Sequence, residues 1–309
     1  MLPFGERMVT GSGMASRDFL TGGYSPGAQI RLAPVAMQKI ILLAAASFLA
    51  FPAVAPAVAQ TKAPDPGRLR ADVETLVRFG TRHTLSSASD PKRGIGAARK
   101  WGAGEFAKIS KGCGGCLTVE TISGPFTGPR APNGVEVADV LAIQKGTGDP
   151  NQVVIVAGHI DSRVTDVMNI TDDAPGANDN ASGTALVIEA ARVLAGEKFD
   201  GTIVYALLSG EEQGLWGAKL LAETAKKRGW QVRAMLNNDI VGNTMGQNGH
   251  VVADRVRVFS EGIRFAEDEK ANLTRRAIGG EDDGPSRALA KKIDGIAEAN
   301  PQIGLDVFA

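Results

Sequence analysis

Three short apolar runs, Val153–Ala157, Thr202–Leu208 and Ala234–Leu236, constrain this chain more than any other feature. Each is rich in β-branched or aliphatic residues and each breaks off abruptly into polar groups, as a buried strand does at its end. His159-Ile-Asp161 follows the first run, Glu211-Glu212 the second and Asn237-Asn-Asp239 the third. In an open α/β sheet, ligands collect beyond the carboxyl ends of the strands. Three such strands therefore deliver one imidazole and several carboxylates to one rim, and that rim is either a metal site or an acid/base site.

Between the first two runs lies Ala174–Gly183, a loop of Pro, Gly and Asn that leads into the periodic apolar segment Ala185–Leu194. Asp179, Asn180 or Ser182 can cap the helix that this periodicity predicts, which places Asp179 at a helix entrance beside the rim. His159, Asp179, Glu211, Glu212 and Asp239 together offer one nitrogen and four carboxylates. That set is too rich in oxygen for a structural zinc site, which prefers Cys and His. It suits two divalent ions sharing a bridging carboxylate, roughly 3.5–4 Å apart, as in aminopeptidases and phosphatases.

Four motifs in this order, His159-x-Asp161, Gly176-Ala-Asn-Asp179-Asn-Ala-Ser-Gly183, Ser209-Gly-Glu-Glu-Gln-Gly214 and Asn238-Asp239, resemble the M28 family of co-catalytic zinc exopeptidases. The resemblance runs from about Leu69 onward. It implies an α/β fold: a single domain with a central, mostly parallel (mixed) β-sheet flanked by helices on both faces. It further implies that His159 binds one zinc, Asp179 bridges two, and Glu212 and Asp239 each bind one. Glu211 would be the general base and Asp161 would orient His159. The implied activity is hydrolysis of peptide bonds at the amino end of peptide or protein substrates. Alternatives within the same fold are carboxypeptidase or acyl-transfer chemistry, or a non-catalytic, truncated binding remnant. The family pattern also carries one further His, some tens of residues beyond the Asp that Asp239 matches. Here only His83, His159 and His250 exist, so the second zinc position is expected to be weakened, and Ile303–Phe308 reads as a strand cut short. His83 lies in the polar turn Thr81–Thr84 and His250 in a loop of turn formers, and neither is expected to be a ligand.

At 309 residues the chain can bury a large core. Its formal net charge of zero supplies no field to attract nucleic acid or an anionic membrane. Residues 1–36 read as a disordered extension or a start set too early. Residues 37–59 combine a basic beginning at Lys39, the apolar run Ile40–Phe51 and an Ala57-Val-Ala59 end, the pattern of a cleaved secretory signal. An uncleaved anchor is the alternative, against which Pro52 and Pro56 argue. A linker over 60–67 and a peptidase-like domain over 68–309 complete the expected organisation, with secretion or periplasmic export as the destination. Cys113-Gly-Gly-Cys116 is the only cysteine pair, without the second pair that a zinc site needs, and reads as a local disulfide. Helices are expected over Leu69–Phe79, Ile95–Ile109, Leu215–Lys227, Ser260–Leu273 and Pro285–Ala299, and strands over Val135–Gln144 and Val256–Phe259.

Overall fold

The computed structural model describes residues 62–262, 267–299 and 304–308, so the extension and the signal segment expected over 1–59 lie outside the described residues. Helix α1 (Pro66–Arg78) opens with Asp65, whose carboxylate accepts from the N–H groups of Gly67 and Arg68 at 2.7 and 3.3 Å. Helix α2 (Gly94–Gly112) follows, and the turn after it is closed by a Cys113–Cys116 disulfide. Then come β1 (Thr118–Gly128), β2 (Ala131–Gln144), β3 (Gln152–His159), α3 (Gly183–Leu194) and β4 (Thr202–Leu208). The short α4 (Glu211–Gly214), α5 (Trp216–Lys227) and β5 (Gln231–Asn237) complete the main body. Beyond it lie β6 (Arg255–Phe259), α6 (Glu269–Ala277), α7 (Pro285–Glu298) and β7 (Gly304–Phe308), with β6 and β7 forming a parallel pair of their own.

The main sheet is mixed, in the order β1-β2-β4-β3-β5. β3 runs parallel to both β4 and β5, while β2 is antiparallel to β1 and to β4. β4 shows why its run is apolar at every position. Ile203, Tyr205 and Leu207 face one way, into a core shared with Leu76 of α1, Ile95 and Phe106 of α2, and Val187 and Ile188 of α3. Val204, Ala206 and Leu208 face the other way, against Ile155 and Ala157 of β3 and Leu221 of α5. A strand covered by helices on both faces needs apolar side chains throughout, and each fully buried Leu, Ile or Val contributes roughly 1.5–3 kcal/mol.

The connection from β3 to β4 passes through α3 on one face, and the connection from β4 to β5 passes through α5 on the other. The chain thus leaves β3 toward β4 and returns to the opposite side of β3, and the crevice at that reversal opens beyond the carboxyl ends of all three strands.

Four expectations need correction. The run Ala234–Leu236 is a strand but not a buried one: β5 pairs only with β3, and Val232, Met235 and Leu236 are 44, 41 and 37% exposed among the described residues. Thr81–Thr84 is no surface turn, since all four residues are buried and Arg82 and His83 have no solvent exposure. The helix expected from Ser260 begins instead at Glu269, where the Asp268 carboxylate accepts from the Ala271 N–H at 2.8 Å. The helix expected from Leu215 begins at Trp216, and Leu215 is 58% exposed at the left-handed junction (φ 59°) between α4 and α5. Strand β1 carries no apolar run because it is an edge strand with alternating partial exposure and Pro125 in its course. Among the described residues no helix is long and apolar enough to cross a membrane.

Candidate metal centre

His159 is the last residue of β3 and 2% exposed. Its main-chain carbonyl accepts from the Thr184 hydroxyl at 2.8 Å, which fastens the strand end to the first turn of α3. On the ring, Nδ1 faces two acceptors of Asp161, the main-chain oxygen at 3.1 Å and Oδ1 at 3.4 Å. Both are acceptors, so Nδ1 carries the proton and donates, and Nε2 is the nitrogen turned toward the crevice. There Nε2 lies 3.2 Å from Asp179 Oδ1 and 3.5 Å from Asp239 Oδ1. The ligand atoms of His159, Asp179 and Asp239 all fall within 4.8 Å of one another. The end of β3, the loop after β5 and the turn before α3 thus bring three donors to one point.

Asp179 sits in an irregular turn, Ala177–Ser182, joined to Asn180 by a cis peptide bond. The fully buried Asn180 ties this turn to its neighbours. Its Oδ1 accepts from the Gly183 N–H at 2.8 Å, opening α3, and its Nδ2 donates to the Asn238 carbonyl at 2.8 Å, beside Asp239. Of the three capping candidates it is Asn180 that caps. The approach is tight at Gly183, where a Cβ would stand 2.1 Å from the Asn238 oxygen, so only glycine fits.

Asp161 has no solvent exposure and serves two strand ends at once. Besides holding His159, it accepts from the main-chain N–H groups of Glu211 and Glu212 at 3.4 and 3.2 Å, satisfying the first turn of α4 from a distant segment. The Thr84 hydroxyl donates to Asp161 Oδ2 at 2.9 Å and accepts from the Gly210 N–H at 2.9 Å, locking the turn at Gly210, whose φ of 72° lets the chain reverse between β4 and α4. Burial pushes the Asp161 carboxyl up, but hydrogen bonds from His159, Thr84 and Glu212 outweigh it and hold it below the usual carboxylate range.

The two glutamates part company here. Glu212 is 7% exposed, and its Oε2 accepts from Arg163 Nε at 2.5 Å, so it faces Arg163 and does not share the point where His159, Asp179 and Asp239 meet. Glu211 is partly buried, and burial, with Asp161, Glu212 and Asp239 nearby, raises its carboxyl above the usual range despite the opposing pull of His159.

Arg82 underpins the whole rim. Its guanidinium is fully buried and donates to the carbonyls of Ile160, Leu76, Pro175 and Gly176 at 2.8–3.1 Å, joining the exit of β3 to the loop that carries Asp179. Burial lowers it to about 10, against the pull of Asp161 and Asp179. His83 is a buried hydrogen-bonding residue: Nδ1 accepts from the Leu85 N–H at 3.1 Å and Nε2 lies 3.0 Å from the Val167 carbonyl. His250 is exposed. Arg82, Thr84 and Arg163 do not stand out in the sequence, since most of the contacts that give them a role come from residues far away along the chain.

The donor set fits a divalent cation. One imidazole nitrogen, its ring held by a hydrogen bond on the other side, faces two carboxylates. The cup also favours positive charge in its own right: burial opposes protonation of His159, yet the carboxylates of Asp161, Asp179 and Asp239 lift it to about 12.

Residues 139–264 match the model of Peptidase family M28. A "Probable zinc metalloprotease" of Pyricularia oryzae is 47% identical over 232 residues, covering 74% of this chain and 46% of that one. The chain spans about half the length of the curated relatives it matches. Among solved structures, a leucine aminopeptidase precursor from Bacteroides thetaiotaomicron superposes with a TM-score of 0.55 at 15% identity, covering 81% of this chain and 79% of that one. A glutaminyl cyclase of the same organism, bound to N-acetylhistamine, gives the same TM-score, identity and coverage. At such identities the likeness is one of fold.

Proposed function

Because the chain belongs to peptidase family M28, we propose that it is a zinc-dependent exopeptidase that removes residues from the amino end of peptides. The observation that carries this reading is the meeting of His159 Nε2 with the Asp179 and Asp239 carboxylates at the mouth of the sheet. In this reading His159 and Asp239 would hold one zinc, Glu212 would hold a second, and Asp179 would serve both. Bound zinc would supply an activated water, its pKa lowered toward about 7, and a Lewis acid for the scissile carbonyl.

The chain's own residues do the rest. Asp161 fixes the tautomer of His159, so that Nε2 is free to ligate. Asp161 also sets α4 by its first two N–H groups, which directs Glu211 and Glu212 from one turn to different tasks. Glu211, partly buried beside the cup, would take a proton from the attacking water and return it to the departing amine, a role worth roughly 10²–10⁴ in rate.

The fold does not choose between peptidase and cyclase, since both kinds of structure match it equally. The name of the 47% identical relative favours the peptidase. Export rests on the signal-like segment over 37–59 and is supported by the Cys113–Cys116 disulfide, a bond that persists in oxidising compartments. The zero net charge supplies no field that would draw nucleic acid to the site.

The test is release of amino-terminal residues from aminoacyl p-nitroanilides by the zinc-loaded protein. We expect a chelator to abolish it, and Glu211→Gln to lower kcat by roughly 10²–10⁴ while leaving zinc content unchanged. Turnover that survives chelation rejects the reading. Loss of zinc in Glu211→Gln would mean that the two glutamates have exchanged roles.

A further inference from the structure

Glu212 is held at three places by three different segments. Its main-chain N–H donates to Asp161, after β3. Its main-chain carbonyl accepts from the guanidinium of Arg130, in the turn between β1 and β2. Its carboxylate accepts from Arg163 Nε, and that residue also steadies its own guanidinium on the Val164 carbonyl at 3.2 Å. The pair is asymmetric in exposure, with the Glu212 side chain 9% and the Arg163 side chain 35% accessible. Arg163 therefore approaches from the open side of the crevice and engages Oε2 alone, while a carboxylate offers a second oxygen and about four acceptor positions in all.

We propose that Arg163 is a positioning residue for metal binding: it grips Oε2 of Glu212, fixes the carboxylate's rotamer and presents Oε1 to the cation, with Arg130 holding the same residue by its main chain. This rests on the assignment of Glu212 as a ligand made above. The physical basis is general. A ligating carboxylate loses rotamer freedom when it binds a metal, and a charge-assisted hydrogen bond that has already fixed it removes part of that cost. A guanidinium does this better than an ammonium, because its planar fork defines a direction and a point charge does not.

Zinc affinity, measured by competition with a chromophoric chelator, tests this without reference to turnover. We expect Arg163→Met to bind zinc about 10- to 100-fold more weakly than the unmodified protein. Arg163→Lys should recover part of that loss, and both variants should stay folded by circular dichroism, with Arg163→Met melting at a lower temperature because it leaves the Glu212 carboxylate without its partner. In a Glu212→Gln background, adding Arg163→Met should change affinity by less than about twofold, because the arginine acts through that carboxylate. Affinity that is unchanged or tighter in Arg163→Met overturns the inference, as does an equal loss in both backgrounds. In either case zinc binding by the parent that is weakened, and not lost, in Glu212→Gln would leave the reading of the site standing. A parent that takes up no zinc overturns both.

Discussion

Asp139 of β2 carries a cost that the active rim does not require. It has no solvent exposure; Oδ1 accepts from the Ser209 N–H at 2.8 Å, but Oδ2 has no hydrogen-bond partner. Burial pushes its carboxyl up to about 7, with Asp161 adding to the rise and the Ser209 hydrogen bond and Arg99 opposing it. The folded protein therefore holds this proton more tightly than the unfolded chain does. The stability tied to Asp139 is complete below about pH 4, falls as pH climbs from there toward 7, and is level above that; the loss is on the order of 4 kcal/mol at most. Asp139→Asn keeps the acceptor for Ser209 and removes the proton. We expect its urea midpoint to exceed that of the parent at pH 8 and to converge with it at pH 4, and equal pH dependence in the two proteins would contradict this assignment.

At the scale of elements, the α3 entrance is the joint that holds the centre together. Gly183 packs against the Asn238 carbonyl so closely that a methyl group must push the β5 loop away, and Asp239 with it. Gly183→Ala should therefore weaken zinc binding by an order of magnitude or more while β4, packed from both sides elsewhere, stays folded by circular dichroism. A variant that binds zinc as the parent does would show that the loop after β5 is not set by this contact. The elements that carry the rim were legible as apolar runs ending in polar residues, because strands covered on both faces must be apolar and must stop where the crevice opens. The edge strand β1 was not legible, since half-exposed alternation with Pro125 looks like loop. The exposure of β5 was not legible either, because composition alone cannot say how many neighbours a strand has. Arg82 and Thr84 were hidden for a third reason. A polar run between two helices reads as a solvated turn until tertiary packing shows it enclosed by the exits of β3 and β4 and the loop before α3.

At the scale of the whole molecule, the sheet order explains why donors from remote segments meet. β3 lies between β4 and β5, the helices that connect them pass on opposite faces, and every loop at the carboxyl edge must then converge on the end of β3, where His159 stands. The same architecture serves an aminopeptidase precursor and a glutaminyl cyclase, so the chemistry belongs to the rim and not to the scaffold. The most direct test is therefore the location of zinc itself. Anomalous diffraction at the zinc edge, on crystals of the zinc-loaded protein, should give a peak about 2.0–2.2 Å from His159 Nε2 and from a carboxylate oxygen of each of Asp179 and Asp239. A peak elsewhere, or no peak at that point in a fully loaded crystal, would contradict the assignment of this rim as a metal centre.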